Sequence, residues 1–250
     1  MFPIHDTIPR QSPPIITWLI IGVNSIVFFI ELNIPEASLE RLFYLFGVVP
    51  ARYHNPAWAS LFGLTTNSYW PFFTSMFLHG GWLHFIGNMW VLWIFGDNVE
   101  DRLGRFSYLI FYILCGLIAG ITHCLINPHS TVPTIGASGA IAGVMGAYFL
   151  FFPYAKIITL IPIFFFPFFF ELPAVLFIGI WFYIQLFSGT LSLATKGSYG
   201  GIAWWAHIGG FISGIIFGFI FVKFKPKRRL CADERTPWGI NWPACQNRWQ

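Results

Sequence analysis

Six long apolar segments constrain the fold of this 250-residue chain more than any other feature of its sequence. A helix needs about 20 mostly apolar residues to cross a hydrocarbon layer about 30 Å thick. The segments that fit this requirement lie near residues 15–32, 82–98, 106–126, 138–153, 171–188 and 202–222. The sequence therefore predicts an all-α membrane protein, a bundle of six transmembrane helices. A long external loop, residues 33–81, would join the first two helices.

The composition excludes a soluble domain and a nucleic-acid-binding protein. Hydrophobic residues make up 56% of the chain and charged residues 10%, whereas a soluble domain carries about 25% charged residues. The net charge of +4 is not gathered into a basic stripe interleaved with aromatic residues, which is the pattern of a nucleic-acid surface. The partner that this composition indicates is the lipid bilayer.

A seventh apolar run, residues 157–170, is harder to assign than the six segments. Pro162, Pro167 and Pro173 interrupt it or follow it closely. A backbone broken by proline is tolerated at membrane depth only where neighbouring groups satisfy its hydrogen bonds. We interpret the run as a loop that dips into the membrane interface.

The basic residues indicate the orientation of the bundle, because cytoplasmic connections are enriched in Lys and Arg. Eleven of the 14 basic residues fall on one side of the predicted bundle and three, Arg41, Arg52 and Lys196, on the other. Both termini are therefore predicted to be cytoplasmic, in a cell (inner) membrane. The domains are a cytoplasmic N-terminus, 1–14, a membrane domain, 15–222, and a basic, then polar cytoplasmic tail, 223–250.

The cysteines do not indicate a metal site or a disulfide framework. Cys115, Cys124, Cys231 and Cys245 form no CxxC pair and no Cys/His set with zinc spacing. No other segment carries a cofactor motif. We therefore expect a protein with no metal and no cofactor.

Polar side chains inside membrane segments are costly, so each is a candidate functional residue. His84 and Asn88 are four apart on one face of the second segment, Ser138 opens the fourth, and His207 lies near the start of the sixth. All three segments run from outside inward in the predicted orientation. The topology therefore brings the four residues to a similar depth.

The chemistry of these residue types is complementary. A serine hydroxyl becomes a nucleophile when a base such as neutral imidazole takes its proton, so His207 can activate Ser138. An oxyanion formed on attack needs hydrogen-bond donors aimed at it. His84, Asn88 and the backbone amide of Ser138 are suitable donors. The pattern indicates a catalytic Ser–His pair with an oxyanion hole.

Small residues would allow the helices that carry this pair to approach closely. The fourth segment contains Gly139, Gly143 and Gly146, and the sixth contains Gly210 and Gly214. Glycines at four-residue spacing lie on one helix face and permit tight packing in lipid. Because Gly210 follows His207 by three residues, the packing face also directs the histidine at the partner helix.

These motifs resemble the rhomboid family of intramembrane serine proteases. The matching pieces are His84-x-x-x-Asn88, Gly136-Ala137-Ser138-Gly139 and Ala206-His207-x-x-Gly210-x-x-x-Gly214. The resemblance covers about residues 15–222 and implies a six-helix rhomboid-like bundle. By analogy Ser138 is the nucleophile, His207 the general base, and His84 with Asn88 the oxyanion hole.

Two features depart from the family pattern. Members often carry a Trp-Arg pair in the long external loop, where this chain has only Arg52 in Pro50-Ala51-Arg52-Tyr53. Some members place an aromatic residue four positions after the serine, stacked on the catalytic histidine, and this chain has Ala142 there. Another group must then orient His207, or packing alone holds it.

The sequence thus predicts a serine endopeptidase that cleaves membrane-anchored proteins near the outer bilayer face by a Ser–His dyad. We expect transmembrane substrates to enter sideways past the fifth helix, near Trp181 and Val91. One alternative is a catalytically inactive relative that binds transmembrane helices as a chaperone or adaptor, although such proteins usually lack the serine or the histidine. A transporter is a further alternative, but the sequence shows no internal repeat. The physiological substrate and the oligomeric state are not predicted.

Overall fold

A computed structural model describes residues 2–163, 166–194 and 203–223 of the chain. Of the predicted tail, 223–250, residues 224–250 lie outside these described residues, and Lys223 is the last residue of a helix. The elements in chain order are β1 (Phe2–Asp6), α1 (Ile15–Glu31), α2 (Glu36–Phe46), α3 (Pro50–His54), α4 (Pro56–Leu61), α5 (Pro71–Thr74), a 3-10 turn (Ser75–Phe77), α6 (Trp82–Leu103), α7 (Arg105–Ile126), α8 (Ser138–Phe151), β2 (Lys156–Ile163), β3 (Phe166–Pro173), α9 (Ala174–Ala194) and α10 (Trp204–Lys223).

Each of the six predicted membrane segments contains a long helix, namely α1, α6, α7, α8, α9 and α10. Among the described residues, α7, α9 and α10 have the length and hydropathy of a membrane span. Helices α1 and α8 are apolar but contain only 17 and 14 residues. Helix α6 has 22 residues, and its Trp, His and Asn side chains lower its mean hydropathy. The number of spans therefore stays a prediction.

Helix α8 lies at the centre of the bundle. Ten of its residues in succession, from Gly139 to Tyr148, are buried, and the helix contacts α6, α7, α9 and α10. Its short length and small side chains suit this position, because a helix enclosed by other helices has little room for bulky residues. The first residue of this central helix is Ser138.

The chain is mostly helical, as predicted, but it also contains a three-stranded antiparallel sheet that the sequence did not predict. Strands β2 and β3 form a hairpin, and β1 pairs with the other edge of β2, giving the order β1-β2-β3. The two strands cover residues 157–163 and 166–170 of the apolar run, so the interpretation of that run as a loop was wrong. The β-branched residues of β2 favour a strand, and Ile157 and Thr159 are fully buried while Ile158 between them is less so.

The prolines that argued against regular structure are accommodated within the hairpin. Pro162 of β2 lies directly opposite Pro167 of β3 in the register. Proline is tolerated at positions of a sheet where its missing N–H does not leave a ladder bond unmade. The N-terminal segment, predicted only as a cytoplasmic terminus, begins with strand β1 of the same sheet.

The end of α6 fastens the start of α1. The Glu100 carboxylate accepts hydrogen bonds from the backbone N–H groups of Ile16 and Thr17, at 3.0 and 2.8 Å, and from the Thr17 hydroxyl at 2.8 Å. An acidic side chain is favourable at a helix N-terminus, where the first N–H groups lack partners within the helix. Gly104, with a φ of 75°, then permits the turn from α6 into α7.

The connection 33–81 is folded into the short helices α2 to α5. Arg52 is buried within it, and its guanidinium donates to the carbonyl oxygens of Leu45 and Thr65 at 3.1 and 2.7 Å. Val48 pairs with Thr134 through backbone hydrogen bonds of 3.0 and 2.8 Å. The connection is therefore joined to the segment that leads into α8.

Candidate active site

The nucleophile candidate, Ser138, follows a turn that requires glycine. Gly136 has a φ of 121°, a conformation that residues with a Cβ rarely adopt. Its N–H donates to the Ser75 carbonyl oxygen at 2.8 Å. Helix α8 then begins at Ser138, so the serine lies at a helix N-terminus, where free backbone N–H groups gather.

The structure brings His207 of α10 to Ser138. His207 Nε2 lies 2.9 Å from Ser138 Oγ, which is hydrogen-bond distance, although the residues are 69 apart in sequence. Neither side chain is fully exposed. This contact is the geometry that proton transfer from the serine to the imidazole needs.

The glycines of α8 and α10 lie at the closest contacts between the two helices. A Cβ added to Gly210 would lie 2.0 Å from the carbonyl oxygen of Gly139, and one added to Gly214 would lie 2.0 Å from that of Gly143. A Cβ added to Gly146 would lie 2.2 Å from the carbonyl oxygen of Phe211 in α10. Since no side chain fits at these positions, the close approach that lets His207 reach Ser138 depends on them.

His84 and Asn88 of α6 lie beside the turn that precedes the serine. A Cβ added to Gly136 would lie 2.6 Å from His84 Nε2 and 3.5 Å from Asn88 Nδ2. Asn88 is buried, and no acceptor among the described residues takes a hydrogen bond from its Nδ2. A buried donor without an acceptor is costly and therefore informative. Here it lies next to the peptide segment at which an oxyanion would form.

Sequence reasoning missed Gln185 of α9, the second partner of the histidine. Gln185 Oε1 lies 2.8 Å from His207 Nδ1. The rings of Trp181 and Trp204 flank the same imidazole, with centroids 6.1 and 6.5 Å from it. Gln185, Trp181 and Trp204 are therefore the neighbours of His207 in this chain, where the position four residues after the serine is Ala142 and not an aromatic residue. The available signal was a glutamine inside an apolar segment.

His79 also lies close to the site, although sequence reasoning assigned it no role. Its buried ring stands edge-on to His84, with 5.2 Å between the ring centroids, and its backbone N–H donates to the Glu31 carboxylate. Burial, together with the nearby His84, lowers the pKa of His79 to about 4. His79 is therefore neutral at physiological pH and adds no charge beside His84.

No group of three or more His, Cys, Asp or Glu side chains is arranged to hold a metal ion among residues 2–163, 166–194 and 203–223. Cys115 and Cys124 are buried thiols that are not joined by a disulfide. Cys231 and Cys245 lie outside the described residues.

An apolar cleft of about 450 Å³ opens between α6 and α9. Its walls include Val91 and Phe95 of α6 and Phe177 and Trp181 of α9. Phe2 and Pro3 of β1 line it as well, and the Trp90 indole donates to the Pro3 carbonyl oxygen at 2.6 Å. The cleft adjoins the catalytic candidates, because Trp181 packs on His207.

The fold and the Ser–His contact define a helical membrane protein with a serine and a histidine paired between two helices. A sequence model of the rhomboid domain matches residues 66–224, more than half of the chain. The chain therefore belongs to the rhomboid family. It is an integral membrane protein with several passes, because the family match and the apolar helices agree.

Several curated proteins resemble the chain over part of their length. Rhomboid-like protein 11, chloroplastic, from Arabidopsis thaliana is 32% identical over 48% of this chain and 39% of that protein. Rhomboid protein 1, mitochondrial, from Saccharomyces cerevisiae is 30% identical over 62% of this chain and 42% of that protein. Rhomboid protease GluP from Bacillus subtilis is 30% identical over 55% of this chain and 25% of that protein. The chain thus spans less than half the length of each.

Proposed function

We propose that this rhomboid-family chain is an intramembrane serine endopeptidase that cleaves membrane-anchored proteins near the outer bilayer face. The observation that carries the proposal is the 2.9 Å contact between Ser138 Oγ and His207 Nε2. The names of two Bacillus subtilis relatives, rhomboid protease GluP and putative rhomboid protease YdcA, are consistent with it. An inactive member that binds transmembrane helices would have no need of this contact.

The proposed reaction proceeds through an acyl-enzyme. Ser138 Oγ attacks the scissile carbonyl carbon while His207 Nε2 takes the hydroxyl proton. The tetrahedral intermediate collapses, the peptide C–N bond breaks, and the imidazolium returns its proton to the leaving amine. A water molecule then attacks the acyl carbon, with His207 again as general base, and releases the new carboxyl terminus and free Ser138.

His84, Asn88 and the N–H of Ser138 would bind the oxyanion. The unpaired Nδ2 of Asn88 supports this role, since a donor that finds its acceptor only in the transition state lowers the barrier without tightening substrate binding. The N-terminus of α8 adds the positive end of a helix dipole at the same place.

A serine-directed probe tests the proposal directly. A fluorophosphonate incubated with the purified wild-type protein is expected to modify Ser138, because the neighbouring imidazole makes this hydroxyl nucleophilic. Peptide mapping by mass spectrometry identifies the modified residue. Modification at another serine, or none under conditions in which a reporter is cleaved, would contradict the assignment of Ser138.

His84→Ala and Asn88→Ala are each expected to lower kcat by about 10²–10³, because each removes one oxyanion donor. The measurement is steady-state cleavage of a membrane-anchored reporter by purified protein in lipid vesicles. His54→Ala is the matched control, since the His54 ring hydrogen-bonds the Pro50 carbonyl oxygen within its own short helix. Unchanged turnover in both oxyanion variants would refute this assignment.

The proposed topology has both termini on the cytoplasmic side of a cell membrane. The support is the distribution of basic residues along the sequence, 11 on the connections of one side and three on those of the other. Helices α6, α8 and α10 then all begin at the outer face, with the catalytic candidates near their first turns. Water can reach the acyl-enzyme from that face.

A further inference from the structure

Gln185 of α9, the partner of His207, determines which nitrogen of the imidazole carries the proton. Gln185 is buried, only 5% exposed, within a helix whose neighbouring side chains are apolar. A buried amide in such surroundings is costly unless its oxygen and nitrogen find partners. Gln185 Oε1 meets His207 Nδ1 at 2.8 Å, and Gln185 Nε2 faces the Trp181 carbonyl oxygen at 3.4 Å.

The carbonyl of Trp181 fixes which way the Gln185 amide points. A carbonyl oxygen accepts hydrogen bonds and donates none, so the NH₂ group must face it. The reversed amide would place two oxygens against each other. Gln185 Oε1 therefore faces His207, and because this oxygen can only accept, His207 Nδ1 must carry a proton. In the neutral ring Nε2 is then bare and can accept from Ser138.

We propose that Gln185 is a positioning residue, which holds His207 in the tautomer that can act as a base toward Ser138. The inference rests on the proposed function in assigning His207 that role. It places a neutral amide where Ser-His-Asp enzymes have a carboxylate, which in those enzymes fixes the tautomer and orientation of the imidazole. In this chain the group comes from α9, whereas the serine and the histidine come from α8 and α10.

The loss of the amide oxygen has a definite chemical consequence. Without an acceptor at Nδ1, the imidazole can place its proton on Nε2 and donate to Ser138 Oγ, and in that tautomer it cannot take the serine proton. Substrate binding does not depend on which nitrogen is protonated. The defect should therefore appear in kcat and leave KM nearly unchanged.

Gln185→Leu removes the acceptor and keeps a side chain of similar size. We expect kcat to fall about 10–100-fold, the range found when the hydrogen-bond partner that orients a metal-binding histidine is removed. Gln185→Glu retains an oxygen acceptor at the same reach and is expected to recover most of the loss. Thr190→Val on the same helix is the matched control, because the Thr190 hydroxyl donates to backbone carbonyl oxygens of α9.

The tautomer itself can be measured without any activity. In ¹⁵N-histidine-labelled protein in lipid, the His207 signals, identified by their loss in His207→Ala, should show a protonated Nδ1 and a bare Nε2 in the wild type. Gln185→Leu should show protonation shifted toward Nε2. A wild-type ring protonated on Nε2, or Gln185→Leu with unchanged kcat, would overturn the inference.

The two readouts separate this inference from the proposed function. A wild-type protein without Ser138-dependent cleavage would refute the protease proposal, while the tautomer spectrum would still decide the role of Gln185. If Gln185→Leu does not fold, as judged by its thermal unfolding, the wild-type and Gln185→Glu spectra decide the question.

Discussion

Ser138→Ala is expected to abolish cleavage of a membrane-anchored reporter, and His207→Ala is expected to do the same. The serine supplies the atom that becomes acylated, and the imidazole removes its proton, so neither group functions without the other. Their contact of 2.9 Å joins them into one unit. In such units the loss of one member costs about 10⁶ in rate, and the loss of both costs little more.

The measurement is reporter cleavage by purified wild type, both single variants and the double variant in vesicles. The double variant should be no slower than either single one. Ser25→Ala is the matched control, since it removes a serine hydroxyl that donates to the Ile21 carbonyl oxygen within α1. Robust cleavage by purified Ser138→Ala would end the protease proposal.

A wild type that binds transmembrane helices without cleaving them would favour the alternative of an inactive relative. That alternative makes no demand on the Ser138 hydroxyl. The binding of a helical peptide would then be the same in wild type and Ser138→Ala, and no reporter fragment would appear in either.

The sequence could predict which residues are candidates for the site because it carries a strong chemical contrast. The candidates are polar residues in apolar segments, namely Ser138, His84, Asn88 and His207, and the alternating direction of the predicted helices would bring them to one depth. The same rule also applies to Gln185, which sequence reasoning passed over. Its distance from His207 depends on the position of α9, which no local pattern specifies.

The sheet could not be predicted from the rule that identified the helices. Residues 157–170 are apolar apart from Thr159 and show no polar alternation, so hydropathy alone does not distinguish a strand from an interfacial loop. Partner strand β1 lies more than 150 residues earlier in the chain, in the register Phe2 to Leu160. Pairing over such a distance depends on the tertiary fold and not on a local pattern. Pro162 and Pro167 argue against a strand, although the β-branched residues beside them favour one.

A cross-link between α6 and α9 is expected to block cleavage of a transmembrane substrate while sparing labelling of Ser138 by a small probe. The apolar cleft between these helices extends to Trp181, whose ring packs on His207. Helix α9 is the less buried of the two walls, because 28% of its span is buried whereas 11 of the 22 residues of α6 are buried. We expect a substrate helix to displace it.

Val91→Cys with Phe177→Cys places one thiol on each wall of the cleft, in a background without the four natural cysteines. Phe177 is preferable to Trp181, because the Trp181 ring packs on His207 and its loss would disturb the base directly. A bifunctional methanethiosulfonate reagent then joins the two thiols. Each single-cysteine variant treated with the same reagent is the control, and reduction should restore cleavage in the double variant.

The cross-link also distinguishes an effect on substrate entry from an effect on the reactivity of Ser138 and His207. A reagent of matched length holds α9 where the structure has it, so Gln185 keeps its contact with His207 and a small probe should still modify Ser138. Loss of both labelling and cleavage would mean that the link distorts the catalytic pair. Unchanged cleavage in verified cross-linked protein would show that substrates reach Ser138 without displacing α9, and therefore by another route than this cleft.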